Sequence, residues 1–289
     1  MVKKVIRFKV LIIGLSLVAY SGYHLFKIFW DYRTSDKTYE KLQDEYAVDD
    51  SKKSDDNGSE AADTPWYDDI DIDFAGLRSE NPDVVGWIYF ENEDISYPVM
   101  YSGDNSYYLR KTFNREHATA GSIFLEGSNK TDFGDCHTII YGHNMKNGSM
   151  FKDIVRYKDP SYFKEHQYFS IYTPEREIRL KAVSCYYGEA KPIVRKTRFK
   201  SQEAFDEFVK EMIAPCSYAE TVEYPVKALY TFVTCSYEIN DARTFLFAVE
   251  ADEEGNEITA DEEYQQKMTD LMIKKAEEAE AVSKETGKK

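Results

Sequence analysis

Between residues 84 and 249 the apolar residues arrive in eight short runs, each closed by turn chemistry. The runs are 84–90, 95–100, 121–125, 137–143, 168–172, 177–183, 226–233 and 244–249. They are rich in Val, Ile, Thr, Tyr and Phe, the residues that suit a pleated, packed surface. Runs this short favour strands over helices. The Thr173-Pro174 step predicts a hairpin between 168–172 and 177–183. Pro98 marks an edge or a bulge in its run. Residues 201–214 break the pattern. Ser201 is an N-cap, and Phe205, Phe208, Val209 and Met212 fall on one helical face. Earlier, Ile70, Phe74 and Leu77 recur at helical spacing until Asn81-Pro82 stops them. The expected fold is mainly β with helices: a barrel or sandwich of about eight strands, leading helices and one inserted helix.

Charge separates this body from its flanks. The 289-residue chain has a net charge of −15. Residues 1–30 carry Lys3, Lys4, Arg7, Lys9 and Lys27 and no acid, whereas 31–73 carry 15 acids against 5 bases and 250–289 carry 13 against 6. The near-neutral middle is the folded part. The acidic balance argues against a nucleic-acid binder, which needs a basic face.

Val10 to Phe26 contains no Asp, Glu, Lys or Arg, and Phe29, Trp30 and Tyr32 follow it. A basic flank, an apolar run and an aromatic belt are the parts of a single membrane span. Residues 1–9 are then a cytoplasmic tail and 10–30 an anchor, with everything after it outside. A cleaved signal peptide is the competing reading, with Ala19-Tyr20-Ser21 as the cleavage site; both readings export the body. Residues 31–65 read as an acidic linker or stalk, flexible or loosely helical, in which 32–47 could continue the helix of the span. Residues 66–250 are the folded domain. Residues 251–289 are an acidic extension, where Tyr264, Met268, Leu271, Met272 and Ala276 predict a helix from 261.

Four cysteines, Cys136, Cys185, Cys216 and Cys235, form no CxxC pair and fit no zinc template. No phosphate-binding glycine motif and no HExxH is present, so no metal and no cofactor is expected. Cys235 ends one strand and Arg243 opens the next, across Asn240-Asp241 turn chemistry. Paired strands would put both at one end of a sheet, and a thiol beside a fixed cation favours thiolate. A buried structural cysteine with a surface arginine is the alternative at this point. Of five histidines, His24 is in the span, His117 in a polar loop, His137 at a strand start and His166 in a charged run. His143 ends an apolar strand and enters a Gly/Asn loop, a common position for a catalytic side chain.

Together these motifs resemble a class B sortase. Thr231-Phe232-Val233-Thr234-Cys235 stands where sortases carry Thr-Leu-x-Thr-Cys, with Arg243 eight residues on. Tyr141-Gly142-His143-Asn144-Met145 matches the histidine motif. Class B character lies in Asn81-Pro82-Asp83-Val84-Val85-Gly86-Trp87-Ile88, Tyr97-Pro98-Val99, Gly121-Ser122-Ile123-Phe124 and Gly148-Ser149-Met150-Phe151. The resemblance covers about residues 70–249. Phe232-Val233 departs from the more usual Leu-Ser, and the tail after Val249 lies outside the family core.

The resemblance implies a sortase-type eight-stranded β-barrel with one long helix between late strands. It implies a membrane-anchored cysteine transpeptidase with the catalytic domain outside the cell. Cys235 would be the nucleophile, His143 the acid and base, and Arg243 the oxyanion and backbone clamp. Thr234, Ser236 and Asn144 would add to substrate binding or the oxyanion hole. The implied partners are exported proteins with a C-terminal sorting motif and the amine of a peptidoglycan precursor at the cell membrane. A hydrolytic cysteine peptidase and a non-catalytic tethered binding protein are the alternatives.

Overall fold

A computed structural model describes residues 2–49, 70–90, 93–189, 192–216, 218–235, 242–267 and 269–270. Helix α1 (Val2–Tyr46) is one continuous 45-residue helix. It is long and apolar enough to cross a membrane, and large side chains such as Leu17 and Val18 on its first thirty residues stand exposed. The helix does not stop where the apolar run stops. Residues 31–46, assigned by composition to the stalk, are its continuation, and Ser35, Tyr39 and Leu42 are buried. Spacings of four and three put these residues on one face. Tyr39 donates to the Gly121 carbonyl at 2.6 Å, and Gln43 to that of Ser96 at 2.7 Å. This part of the acidic segment is docked helix.

Strand β1 (Ala47–Asp49) pairs antiparallel with β2 (Ile70–Ile72). Ile70 therefore belongs to a strand, not to the helix expected around it. Ile70 and Ile72 are buried with Asp71 exposed between them, a period of two. Helix α2 is shorter, Phe74–Glu80, because Asp73 caps it by accepting from Gly76 N at 2.8 Å.

The body contains β3 (Val84–Phe90), β4 (Ile95–Met100), β5 (Ile123–Leu125), β6 (His137–Tyr141), β7 (Tyr168–Tyr172), β8 (Glu177–Glu189), β9 (Tyr218–Ala219), β10 (Leu229–Cys235) and β11 (Ala242–Glu250). Pairing runs β11-β10-β6-β5-β4-β3-β7-β8, and β8 pairs back onto β11. The eight strands close into a barrel, and β9 pairs onto β8 as well. Closure removes the unpaired strand edges that an open sheet would expose. β4–β5 and β6–β10 are parallel; the other barrel pairs are antiparallel. Pro98 lies just before the stretch of β4 that pairs with β5. Short helix α3 (Pro160–Glu165) precedes β7. The long inserted helix α4 (Gln202–Ile213) lies between β8 and β9, and its Ser201 cap accepts from Ala204 N.

Strand β10 shows how the sequence builds two cores. Tyr230 and Phe232 point into the barrel, while Leu229 and Val233 face the second core under α4. Inside, Phe90 stacks on Phe169 at 3.9 Å, and Phe232 meets both edge-on. Outside, Phe205, Phe208, Val209 and Met212 of α4 join Leu229 and Val233 in the second core. Beyond β11, Ala251 and Ala260 are buried, and Val226 bridges to Thr259. The first ten residues of the extension thus pack on the barrel, and residues 262–267 are helical. Of its expected apolar stripe, Met268, Leu271, Met272 and Ala276 lie outside the described residues, as do Asn240 and Asp241 of the expected turn.

Candidate active site

The strand pairings bring the carboxyl ends of β3, β6, β8 and β10 to one end of the barrel, with the amino ends of β4, β5, β7 and β11. At that end Cys235 pairs with Arg243 and Thr234 with Thr244 across β10 and β11. On the other flank of β10, Val233 lies opposite Tyr141 of β6. The chain leaves β6 through Gly142, whose N–H donates to the Val233 carbonyl at 3.1 Å. A Cβ on Gly142 would stand 2.5 Å from Ile123 and Phe151 side-chain carbons, so only glycine passes there. The next residue is His143, and Phe151 N holds its carbonyl at 2.9 Å. Thus residues 92 positions apart in the chain, His143 and Cys235, reach one barrel end through the parallel β6–β10 pair.

A cleft of about 230 Å³ opens there. Leu109, Phe124 and Val233 give it an apolar wall, and His143, Arg195 and Arg243 give it polar groups. His143 Nε2 lies 2.8 Å from the Leu109 carbonyl. A carbonyl only accepts, so Nε2 carries the proton and Nδ1 is the basic nitrogen of the neutral ring. Burial holds the His143 pKa below its ordinary value. The Leu109 carbonyl opposes that shift, while the charges of Arg110 and Arg243 add to it. The ring is therefore mainly neutral at pH 7. Arg243 donates from Nη1 to the Ala242 carbonyl at 3.0 Å.

Thr234 lines the cleft, and its buried hydroxyl has no hydrogen-bond partner among the described residues. Asn144 is buried and bridges to Met150, outside the cleft lining. Ser236 lies outside the described residues. Val233, the departure from the usual box, forms part of the wall, while Phe232 fills the barrel interior. The other histidine on β6 has a structural role. His137 is fully buried between the Lys196 carbonyl and the Thr231 hydroxyl, and burial lowers its pKa to about 4. Two further cysteines are poor nucleophiles. Burial pushes Cys136 up to about 12 and Cys185 higher still. Among the described residues no cluster of His, Cys, Asp and Glu could hold a metal ion.

Sequence reasoning missed the cleft's supporting network. Glu126, directly after β5, is buried and accepts from the Tyr141 hydroxyl and the Asn105 amide, each at 2.6 Å. Arg195 Nε approaches the same carboxylate at 3.3 Å. Burial alone would raise the Glu126 pKa, but the donors on Tyr141, Asn105 and Arg195 outweigh it, and the net shift is downward. A single acid closing the apolar run 121–125 was the available signal. The Leu109 carbonyl carries no side-chain signature at all.

No family model matches the chain. A curated sortase B of Listeria monocytogenes is 30% identical over 212 residues, which span 73% of this chain and 85% of that protein. The X-ray structure of Clostridium perfringens sortase B superposes with a TM-score of 0.58 at 30% identity, over 62% of this chain and 99% of that one. A Staphylococcus aureus sortase B–substrate complex matches with a TM-score of 0.58 at 27% identity, over 62% of this chain and 84% of that one. A sortase B complexed with triglycine gives the same TM-score and identity, over 62% of this chain and 85% of that one.

Proposed function

The chain belongs to the sortase B family of cysteine transpeptidases, and from that premise we propose that it joins exported proteins to a cell-wall amine at the outer face of the membrane. Cys235 attacks the carbonyl of a peptide bond in a C-terminal sorting motif. His143 Nδ1 takes the Cys235 thiol proton as the sulfur–carbon bond forms, and the resulting imidazolium gives that proton to the leaving amine as the peptide C–N bond breaks. An amine of a peptidoglycan precursor then attacks the thioester and gives a proton back to His143. The new amide forms and the thiolate returns. Arg243 supports the substrate backbone and the developing oxyanion, for which a planar guanidinium is suited. The Thr234 hydroxyl, with no partner among the described residues, is a second donor to the same oxygen. Ser236 and Asn144 are lesser candidates for substrate contact.

One observation carries this reading. The register Cys235↔Arg243 and the Gly142–Val233 bond bring the three residues from separate strands to one barrel end. The substrate and triglycine complexes of related sortases support a peptide donor and an amine acceptor. The basic residues before the apolar helix support residues 1–9 inside, 10–30 as the anchor and the barrel outside. The acidic balance of the chain gives no support to a nucleic-acid partner.

The test is a library of fluorogenic sorting peptides incubated with the protein and triglycine. Cleavage with a peptide–triglycine product is expected. Cys235→Ala should abolish cleavage and labelling by a thiol-reactive peptide analogue, and His143→Ala should lower the rate by about 10²-fold or more. Full turnover by Cys235→Ala would overturn the assignment of the nucleophile.

A further inference from the structure

The cleft presents more than its proposed catalytic groups. Glu126 gathers side chains from three separate segments. Tyr141 comes from the end of β6, Asn105 from the loop after β4, and Arg195 from the segment between β8 and α4. Asn105 is itself fixed, since its Oδ1 accepts from Gly127 N at 2.7 Å. The Tyr141 ring stacks on Phe124 with centroids 5.2 Å apart. Glu126 is sealed beneath this layer with its side chain only 5% exposed. Its negative charge is spent on groups that hold the cleft and is withdrawn from the cleft surface.

Arg195 is the opposite case. Its side chain is 60% exposed, and only Nε and Nη2 approach Glu126, at 3.3 and 3.4 Å. A guanidinium has five N–H donors and no acceptor. The Tyr141 hydroxyl also interacts with this guanidinium, and its exposed remainder lies at the rim of the cleft. Arg243 is the other cation in the lining, and Glu126 is absent from it. Among the described residues the lining carries no acid, so its exposed charge is positive, although the whole chain is acidic.

We propose that Arg195, oriented by Glu126, is a specificity residue that selects peptides carrying a carboxylate side chain where the motif crosses the rim of the cleft. This rests on the transpeptidase reading above. A carboxylate gains a charge-assisted, geometrically fixed pair with the guanidinium. A lysine at the same peptide position meets like charge from Arg195 and Arg243. Fixing Arg195 beforehand lowers the ordering cost of that pair.

The experiment uses the detergent-solubilised full chain and a peptide library in which each motif position carries Glu, Gln, Ala or Lys in turn. At one position the Glu peptide should exceed the Lys peptide in kcat/KM by about 10-fold, the range of one partly exposed charged hydrogen bond. The preference should shrink as salt is raised. Arg195→Glu should invert it, and Arg195→Lys should weaken it without inverting it. Because Arg195→Glu sets a like charge beside the buried Glu126, melting temperatures check each variant, and Arg195→Ala, which should abolish the preference, stands in if Arg195→Glu does not fold. Binding of the same labelled peptides to Cys235→Ala protein reads the preference without turnover. If nothing is cleaved but the binding preference inverts with Arg195→Glu, the transpeptidase reading fails and the specificity residue stands. If wild type shows no charge preference, or Arg195→Glu keeps it, the specificity residue is overturned even when cleavage is normal.

Discussion

His143 and Arg243 act on each other through charge before any substrate arrives. The positive guanidinium disfavours a positive imidazolium, so after burial and the charge of Arg110 it helps to hold the His143 pKa down. Removing that charge must raise the pKa. In Arg243→Gln the His143 ring should titrate at higher pH than in wild type, as followed by its NMR resonances. Arg110→Gln should move it the same way. An unchanged or lower value in both variants would show that burial alone sets the shift. At this scale the sequence was informative about place: it put Cys235 and His143 at strand ends and Arg243 at a strand start, and the pairings bring all three to one barrel end. It was silent where chemistry lies in a backbone atom. The Leu109 carbonyl fixes which His143 nitrogen carries the proton from 34 residues away.

Helix α4 supports the site from behind. Phe205, Phe208, Val209 and Met212 share the second core with Leu229 and Val233 of β10, the strand that ends in Cys235, and Phe208 lies 5.2 Å from the His137 ring of β6. Ser201 caps the helix, so Ser201→Ala should cost about 1 kcal/mol of stability in chemical denaturation. Phe208→Ala, which empties part of the second core, should cost about 3–5 kcal/mol. Only the second should also lower turnover, because only it opens a cavity in the core to which Leu229 and Val233 of β10 belong. Both elements were legible, since a cap followed by one apolar face has a single helical reading. Residues 70–80 were not, because Ile70, Phe74 and Leu77 satisfy helical spacing while Ile70 and Ile72 satisfy strand spacing. Asp73 decides between them by capping a helix that starts after it. β8 extends to Glu189, six residues beyond its alternating run, because β11 pairs along that stretch. Such long-range pairing leaves no local pattern.

For the whole molecule, the junction between the apolar helix and the barrel has direct consequences. The acidic composition after residue 30 suggested a flexible or loosely helical stalk, in which 32–47 could continue the helix of the span. α1 does continue to Tyr46, and it is docked, with Tyr39 and Leu42 buried and β1 pairing with β2. Composition did not show the docking because a docked helix needs only one apolar stripe, and the other positions stay charged. Asp36 also holds Asn147, in the loop that follows His143, at 2.9 Å. The helix thus fixes both the height of the barrel above its apolar segment and one side of the histidine loop. A fragment starting at residue 31 should therefore fold with the stability of the full chain. One starting at residue 66 loses the burial of Tyr39 and Leu42, about 1.5–3 kcal/mol each at most. Its melting temperature should fall by roughly 10 °C for a domain of this size. Its turnover should fall as well, because Asn147 loses Asp36. Differential scanning calorimetry of the two fragments with a parallel peptide assay checks both. Equal melting temperatures and equal rates would return residues 31–46 to the role of a tether.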